Sequence, residues 1–360
     1  MSGFGSQCAN VRWFDLDQFL QRALNDLGAT FHASLIVIGD KLDLYKAMAS
    51  AGPLTSTEVA RRTSTAERYV REWLAAPAAS GDVSYDPTSA RCPLPAEQAF
   101  TLADENSPAF LPGAFPLATA AIRIEPRLLE AFRTGAGVGW HEHDPGLFQG
   151  TERFFRPGYA AHLTNSWLPA LEGGDAKLRA GARVADVGCG RGASTVLMAQ
   201  EYPRSIFLGF DSHAPSIARA RQAAQEAGVA DQGSFEVATA KAYAGAPYDL
   251  VAFFDCLPDR GDPGGVAAHV RETLREDGVW MLVEPFAQDR LEDNLNPIGR
   301  MYSSASTPIC TPASLAQEVG LALGTQAGDT RLREVGTVGG FPHVRHATET
   351  PFNLVFEARP

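Results

Sequence analysis

The stretch "VADVGCGRGAS", residues 184–194, joins a short apolar run and an acidic residue to three closely spaced glycines. The apolar run is typical of a buried strand, and "ASTVLMAQ", which follows the last glycine, is typical of a helix. Gly188, Gly190 and Gly192 lie between them, where the absence of a Cβ permits a tight turn and lets a ligand lie against the backbone. The stretch therefore predicts a strand, a ligand-binding turn and a helix.

Strand and helix patterns alternate from about Arg183 onward. The apolar runs are "RVADVG", "SIFLGFD", "SFEVATA", "DLVAFFD" and "VWMLVEP", and helical stretches such as "PSIARARQAAQEAG" and "GGVAAHVRETLRE" separate them. Runs that are apolar on both faces indicate strands covered on both sides, and their alternation with helices indicates a parallel, doubly wound α/β sheet. Ligands of such sheets bind at the carboxyl ends of the strands, which is where the glycines lie.

An acidic residue ends the second apolar run, about twenty residues after the glycines. Asp211 is placed where a carboxylate accepts hydrogen bonds from the two hydroxyls of a ribose. A dinucleotide fits, because Ala193 completes the fingerprint G-x-G-x-x-G/A, and so does S-adenosylmethionine. We favour S-adenosylmethionine, because Asp186 would repel a pyrophosphate but can receive the ammonium of a methionine group. A glycine turn with a purely structural role is the third alternative.

The N-terminal part, from about Phe14 to Leu102, contains helical patterns and one hairpin pattern. "LTSTEVARRT" places Thr55 three residues before Glu58, the spacing of a capping box at the start of a helix. A second helix, "AERYVREWLAA", and a turn-containing stretch, "GDVSYDPTSARCPL", follow. This is the order of elements in a winged-helix domain, which we assign to residues 1–103.

A winged-helix domain binds DNA through its second helix, so a DNA-binding regulator is one alternative. The charged residues of that helix cancel in sign: Glu67, Arg68, Arg71 and Glu72. Its apolar positions form a stripe suited to burial: Tyr69, Val70, Trp73 and Leu74. In addition, Pro77 is expected to disturb its last turn. We therefore favour a domain that packs against a second copy of the chain or covers a ligand pocket.

Composition and charge limit the partners of the chain. Of its 360 residues, 45% are hydrophobic and 20% are charged, which is ordinary for a globular enzyme. The net charge of −11 opposes nucleic acid and anionic lipid. No C-x-x-C pair occurs among the five cysteines, which are Cys8, Cys92, Cys189, Cys256 and Cys310. We expect a cytoplasmic protein, with no leader peptide and with neither nucleic acid nor membrane as a partner.

Residues 104–175 are predicted to be a helical connecting segment that forms a wall of the substrate pocket, because turns there cluster with aromatic residues. The aromatic candidates for that wall, each of which also suits the core, are Phe148, Phe154, Phe155, Tyr159 and Trp167. Within "WHEHD", the residues His141, Glu142, His143 and Asp144 are candidates for a general base. A structural role is the alternative for them, and no metal site is predicted, because a third distant ligand is missing.

The chain resembles the class I S-adenosylmethionine-dependent methyltransferases of bacteria, many of them actinobacterial, that join an N-terminal winged-helix domain to a Rossmann-like catalytic domain. The motifs that carry the resemblance are "VIGDKLDLYKAM", "ERYVREWLAA", "GVGWHEHDPGLF", "RFFRPGYAAHL", "VADVGCGRGAST", "MLVEPFAQDRLEDNLNPIGRMYSSAST" and "ETPFNLVFEAR". Their coverage of the chain is nearly complete. The resemblance implies a seven-stranded Rossmann-like methyltransferase sheet over residues 176–360.

The resemblance also implies roles for individual residues. Those expected around the methionine part of the cofactor are Asp186, Gly188, Gly190 and Gly192. Those expected further along it are Asp211 and Ser212 at the ribose, Thr239 and Ala240 near the adenine, and Phe254 and Asp255 at the rim. The chain departs from its relatives at Arg191 and Pro258, where they usually have His, so no catalytic histidine can be transferred from the family to position 258.

From these observations we predict a homodimeric enzyme that transfers a methyl group from S-adenosylmethionine to a small aromatic metabolite, such as an indole or a phenol of specialised metabolism. The acceptor atom is left open among carbon, nitrogen and oxygen. Tyr159 is a further catalytic candidate, and Glu284 is expected either to face the substrate or to pair with an arginine. The alternative function is a winged-helix transcriptional regulator that senses S-adenosylmethionine.

Overall fold

The computed structural model of the chain describes residues 11–360, so Cys8 and the first ten residues of the predicted N-terminal domain lie outside the described residues. The described chain forms two compact units, one ending at Phe115 and the other beginning at Pro116. The division predicted from the sequence, with boundaries after residues 103 and 175, stays a prediction. The four described cysteines are buried and unpaired.

The N-terminal unit is helical. Its helices are α1 (Trp13–Lys41), α2 (Leu44–Ala49), α3 (Ser56–Thr63), α4 (Glu67–Ser80) and α5 (Ala96–Leu102). The predicted capping box begins α3, where the Thr55 side chain accepts from the Glu58 N–H and the Glu58 carboxylate accepts from the Thr55 N–H. In the core of the unit the rings of Tyr45 and Trp73 pack edge to face, with centroids 5.0 Å apart.

Three details of this unit differ from the sequence-based expectations. Tyr69 was placed in the buried stripe of α4, but its side chain is 82% exposed, whereas the other three residues of the stripe are buried. The helix continues through Pro77 to Ser80, and Pro77 is buried. The predicted hairpin is reduced to single bridges, Asp86 with Arg91 and Leu54 with Cys92.

The segment before the sheet contains several helices. It contains α6 (Ala114–Ile122), α7 (Glu125–Thr134), α8 (Pro145–His162), a π-helical turn (Leu163–Trp167) and α9 (Gly174–Ala180). Helix α8 has a proline at its first position, where a missing N–H loses no hydrogen bond. The side chain of Asp144 caps this helix by accepting from the Gly146 N–H at 2.8 Å. The cap fixes the start of the longest helix of the second unit.

The second unit contains one seven-stranded sheet. Its strands are β1 (Arg183–Val187), β2 (Ile206–Asp211), β3 (Gly233–Val237), β4 (Tyr248–Phe254), β5 (Leu274–Pro285), β6 (His343–Glu349) and β7 (Asn353–Arg359). The order is β3-β2-β1-β4-β5-β7-β6, with β7 antiparallel to both of its neighbours and the first five strands parallel. The predicted doubly wound, seven-stranded α/β sheet is confirmed. Its strand order reverses between β1 and β4, the point at which such sheets bind ligands.

Helices cover both faces of the sheet. They include α10 (Ala193–Glu201), α11 (Ala214–Glu226), α12 (Pro263–Thr273) and α15 (Gly328–Val338). The helix predicted after β4 ends at Thr273, and the next residues belong to β5. The stretch "DRLEDNLNPIGRMYSSAS" contains a short 3-10 turn and α13 (Pro297–Ser306), and α14 (Cys310–Leu315) follows it.

Candidate active site

A cavity of about 450 Å³ opens at the carboxyl ends of β1, β2 and β4. It contains most of the residues predicted for the site, namely Tyr159, Gly188, Gly190, Asp211, Ser212, Thr239, Ala240, Phe254 and Asp255. Two other predicted cofactor residues, Asp186 and Gly192, lie directly behind this lining, within β1 and at the start of α10. The sheet thus brings together residues that are separated by almost one hundred positions in the sequence.

The glycine turn follows β1 with backbone that favours glycine. The φ angles of Gly188, Gly190 and Gly192 are +80°, +52° and +86°, in the left-handed region that L-residues adopt at a cost. A Cβ at Gly188 would lie 2.6 Å from the Cys256 Sγ and 2.7 Å from the Arg260 Nη2, whereas one at Gly190 would meet nothing within 4 Å. At Gly188 the missing side chain allows Cys256 and Arg260 to lie close to the backbone. At Gly190 glycine is needed only for the left-handed backbone conformation.

Asp211 is held rigidly at the end of β2. One carboxylate oxygen accepts from the Gly190 N–H at 3.0 Å, and the other accepts from the His213 N–H at 2.8 Å. Each oxygen keeps a lone pair, so the carboxylate can accept further hydrogen bonds from a ligand in the cavity. The two contacts also join the glycine turn to the tip of β2.

Asp186 is a buried carboxylate behind the glycine turn. Its Oδ2 accepts from the hydroxyls of Ser194 and Thr195, each at 2.6 Å. Its Oδ1 has no hydrogen-bond partner among the described residues. Burial raises the pKa of Asp186 to about 6, although the two hydroxyls oppose that shift. A buried carboxylate oxygen without a partner can receive a cationic group, directly or through water.

Asp255 follows the last residue of β4 in a left-handed conformation, with a φ of +51°. One carboxylate oxygen accepts from the Tyr159 hydroxyl at 2.8 Å, and the other accepts from the side-chain amide of Asn353 at 2.9 Å. Tyr159 lies on α8 and Asn353 begins β7, so three separate elements meet at this carboxylate. Its surroundings raise the pKa of Asp255 to about 7, mainly through burial.

The residues of "WHEHD" that were predicted as base candidates do not line the cavity. His141 is exposed, and the carboxylate of Glu142 binds Arg127 and accepts from the Gly139 N–H. His143 is buried without a hydrogen-bond partner among the described residues, and burial lowers its pKa. Their catalytic role stays a prediction that the geometry of the cavity does not support.

The aromatic candidates separate into two groups. Phe148, Phe155 and Tyr159 line the cavity, all three from α8. The ring of Phe148 stacks on His213 with centroids 4.0 Å apart, beside the carboxylate at the end of β2. Trp167 is completely buried in the core, and Phe154 packs edge to face on Phe155 without lining the cavity. Helix α8 therefore provides the aromatic wall.

Several cavity residues were missed or misjudged in the sequence. Arg191, noted only as a departure from the family, forms an ion pair with Glu152 of α8. Lys241 pairs with both Asp262 and Glu318 at the opposite side of the cavity. These partners are 39, 21 and 77 residues apart in the chain, so no local pattern could have revealed them.

Two further residues lie in the loop after β4 and at the end of β5. Pro258, where relatives usually have His, lies in a buried 3-10 turn. Glu284 was expected to face a substrate or to pair with an arginine. Among the residues that the structure describes, its partner is instead the backbone N–H of Leu257 at 3.0 Å, and the side chain is not part of the cavity lining.

Comparison with known families agrees with this architecture. A family described as the Rv2258c-like winged HTH domain matches residues 30–104, and a family described as the methyltransferase domain matches residues 178–331. The chain joins a winged helix-turn-helix domain to a methyltransferase domain. The predicted combination of an N-terminal winged-helix-like domain with a Rossmann-like methyltransferase sheet is thereby confirmed. The cavity lies at the strand ends of the methyltransferase domain.

Solved methyltransferases share the fold of the chain at low sequence identity. Mitomycin 7-O-methyltransferase is 16% identical with a TM-score of 0.69, and the match covers 96% of this chain and 100% of that one. Human N-acetylserotonin methyltransferase, solved with S-adenosylmethionine, is 18% identical with a TM-score of 0.67, and the match covers 94% and 97% of the two chains. Similarity at this level shows a common fold.

A curated relative, the tRNA (guanine-N(7)-)-methyltransferase of Edwardsiella ictaluri, is 42% identical over 62 residues. The matched part is 17% of this chain and 24% of the relative. The chain therefore spans about a quarter of the length of the curated relative that it matches. Within residues 11–360, no helix is both long and apolar enough to cross a membrane.

Proposed function

We propose that the chain transfers a methyl group from S-adenosylmethionine to a small aromatic metabolite that carries an O–H or N–H group, such as a phenol or an indole. The observation that supports this most directly is the cavity of the methyltransferase domain. Its lining combines a glycine turn, the carboxylate of Asp211 and an aromatic wall. Methyl transfer to carbon is left as an outcome of the experiment below.

The residues present fit S-adenosylmethionine. The cavity volume of about 450 Å³ lies within the range of small-molecule sites. Gly188 and Gly192 leave bare backbone at positions of the turn where a Cβ would collide with its neighbours. The unpartnered Oδ1 of Asp186 provides the acceptor that the ammonium of the methionine group needs. An acidic lining also suits a ligand that carries a sulfonium.

We assign the parts of the cofactor to the residues predicted for them. The ribose hydroxyls would donate to Asp211, with Ser212 beside it. The other expected contacts are Gly188 and Gly190 along the methionine part, Thr239 and Ala240 at the adenine, and Phe254 at the rim. All seven of these residues line the cavity, which supports the proposal. They agree with the general rule that nucleosides bind at the switch point of a doubly wound sheet.

Bound S-adenosylmethionine supplies an electrophilic methyl group, so the protein must mainly orient the acceptor, exclude water and accept a proton. Phe148, Phe155 and Tyr159 form an apolar wall that excludes water from the cavity. Their ring faces also favour a nearby positive charge and stack with planar acceptors. Two neighbours in fold, mitomycin 7-O-methyltransferase and N-acetylserotonin methyltransferase, are named for small-molecule acceptors, which is consistent with this proposal.

Two measurements test this function. Isothermal titration calorimetry with S-adenosylmethionine and S-adenosylhomocysteine is expected to show one site per chain. Incubation with donor labelled at the methyl carbon and a panel of phenols, indoles and aryl amines is expected to give at least one labelled product by mass spectrometry. Absence of binding would contradict the function itself. Binding without any labelled product would contradict only the class of acceptor.

The charge pattern of the N-terminal unit favours an enzyme over a DNA-binding regulator. In α4, Arg68 pairs with Glu72 and Arg71 pairs with Glu67, so the helix offers little free positive charge to a phosphate backbone. We propose that nucleic acid is not a partner, and that the unit instead carries a dimer interface.

A stripe on α1 supports the proposed homodimer. Its members are Trp13, Leu20, Leu24, Leu27 and Phe31, all of them about half exposed or more. They recur at intervals of three, four and seven residues, so they share one face of the helix. An exposed apolar stripe of this length is typical of an interface, and two copies of α1 could cover each other's stripe.

A charge within this stripe is expected to weaken the dimer. Light scattering should report a dimer for the wild type and mainly monomer for Leu24→Asp at micromolar concentration, because burying an unpaired carboxylate in an apolar interface is strongly unfavourable. The control is Asn25→Asp, which adds the same charge about 100° around the helix. A wild-type monomer, or equal dissociation of both variants, would contradict the proposed interface.

A further inference from the structure

We infer that Asp255 accepts the proton of the acceptor's O–H or N–H group during methyl transfer. The inference rests on the proposed function and deepens it. The sequence predicted Asp255 only at the rim of the cofactor, and it predicted the general base within "WHEHD". Three features of the structure favour Asp255, namely its position in the cavity, the donors that hold it and the groups that surround it.

The position of Asp255 suits contact with an acceptor. It directly follows β4, on the side of the strand that faces β5 and β7, whereas Asp211 and the glycine turn lie on the side of β2. The backbone N–H of Asp255 donates to the Val283 carbonyl at 2.7 Å, and this bond fixes the left-handed turn. A left-handed non-glycine residue is costly and is often found at functional sites. The turn directs the carboxylate into the cavity lining.

The donors around Asp255 leave it able to accept a proton. Tyr159 and Asn353 each give one hydrogen bond, to different oxygens, and both donors are neutral. They orient the carboxylate without the strong acidifying effect of an arginine or lysine partner. Each oxygen keeps one lone pair for a third donor. An acceptor O–H or N–H in the cavity would be that donor.

The groups that face Asp255 are neutral or acidic. Besides Tyr159 on α8, they are Asp259 in the turn after β4, Glu284 of β5 and Tyr302 of α13. Burial raises the pKa of Asp255 to about 7, and the charge of Asp259 adds to that shift. A carboxylate with this pKa is half ionised near neutral pH and is a stronger base than an ordinary aspartate.

The other buried carboxylates nearby are less suitable. Glu284 does not line the cavity, and Asp259, which does, lies near the positive charge of Arg260, which favours its ionised form. Glu152 forms an ion pair with Arg191. Asp255 lines the cavity and is held by two neutral donors, and no cation is among the groups that shift its pKa.

The reaction step is balanced. As a lone pair of the acceptor oxygen or nitrogen forms a bond to the methyl carbon, the S–CH₃ bond breaks and its electron pair stays on sulfur. The O–H or N–H proton moves to a carboxylate oxygen of Asp255, which becomes a neutral acid. The products are the methylated acceptor and S-adenosylhomocysteine, and Asp255 returns the proton to water when they leave.

The test uses Asp255→Asn in the full chain, with the same donor and acceptor panel. The amide keeps the size of the side chain and can still bond to Tyr159 and Asn353, but it cannot accept a proton. We expect kcat to fall by about 10²-fold or more on the best acceptor. The variant should still bind S-adenosylhomocysteine. The matched control is Asp249→Asn at the opposite end of β4, where the carboxylate accepts from the Arg183 N–H at 2.8 Å, and its kcat should stay at the wild-type value.

Tyr159→Phe tests whether Asp255 accepts the proton or has only a structural role. Tyr159 is a positioning residue, because it acts through its hydrogen bond to Asp255. Its hydrogen bond favours the ionised carboxylate, so its loss should raise the pKa of Asp255. The acidic limb of the kcat profile, expected near pH 7 in the wild type, should move to higher pH and be absent in Asp255→Asn. NMR of protein labelled with ¹³C at aspartate carboxyls should show one resonance titrating near pH 7 that Asp255→Asn lacks.

Each possible result either supports or overturns the role of Asp255 as proton acceptor. A large loss of kcat with S-adenosylhomocysteine binding retained supports the inference. A kcat of Asp255→Asn close to that of the wild type overturns it, as does an acidic limb that stays in place in both variants. Loss of S-adenosylhomocysteine binding in Asp255→Asn also overturns it and returns the residue to the cofactor rim. If the wild type labels no acceptor, the inference falls with the acceptor class, while cofactor binding stands on its own titration.

Discussion

Asp211→Ala is expected to weaken the binding of S-adenosylhomocysteine by roughly 100-fold or more, because the ribose loses two hydrogen bonds to a charged acceptor. The carboxylate is held at the cavity by the N–H groups of Gly190 and His213, so it is already oriented before a ligand arrives. Preorientation adds to its effect on affinity. Isothermal titration calorimetry on both proteins measures the difference.

A control must distinguish the loss of hydrogen bonds to the ribose from a disturbance of the glycine turn. Competition by adenosine and by 2′,3′-dideoxyadenosine provides it, since only the first carries the two hydroxyls. The wild type should prefer adenosine, and Asp211→Ala should lose that preference. Asp231→Ala, which removes an exposed acid before β3, should bind like the wild type. Equal affinity of Asp211→Ala and the wild type would refute the assignment of the ribose.

Gly188→Ala is expected to lower both cofactor affinity and stability. The new Cβ would lie 2.6 Å from the Cys256 Sγ, and the residue would keep a φ of +80°. The clash and the left-handed backbone together should reduce the free energy of unfolding by roughly 2 to 4 kcal/mol. The displaced neighbours line the cavity, so calorimetry should show a loss of affinity of at least the same order as for Asp211→Ala.

Gly190→Ala is the matched comparison, because it places the same methyl group in the same turn. Its φ is +52°, and a Cβ there would meet nothing within 4 Å. Only the backbone penalty of about 1 kcal/mol should apply, with a correspondingly small effect on urea denaturation. If the two alanine variants behaved alike, crowding at Gly188 would not explain the glycine there.

The sequence predicts the sheet well because its information is local. The apolar runs and the glycine turn indicate the first five strands and the ligand-binding edge, and Asp211 falls at a strand end by its spacing alone. The seven-stranded sheet was expected only from the resemblance to methyltransferases. The capping box of α3 is equally local, since Thr55 and Glu58 are neighbours on one turn. Elements of this kind do not depend on contacts between distant residues, so they can be predicted from the sequence.

The rest of the site depends on contacts between distant parts of the chain. Tyr159 and Asp255 are 96 residues apart, and Asp255 and Asn353 are 98 apart, so no motif joins them. The general base was predicted instead in the local cluster "WHEHD", but its acids Glu142 and Asp144 serve caps and ion pairs at the start of α8. His141 is exposed, and His143 has no hydrogen-bond partner among the described residues. The burial of Tyr69 was predicted wrongly for a related reason. Helical periodicity places Tyr69 beside the buried face of α4 but does not show where that face ends.

Helix α8 contacts both halves of the cavity. Phe148 stacks on His213 next to the proposed ribose site, and Tyr159 bonds the proposed proton acceptor eleven positions later, about 16 Å along the helix axis. Both contacts lie on one helix, which is continuous through Pro157, so we expect a displacement of the helix at the first contact to alter the second. Binding of the nucleoside would then change the affinity for the acceptor, and by linkage the acceptor would change the affinity for the nucleoside by the same factor.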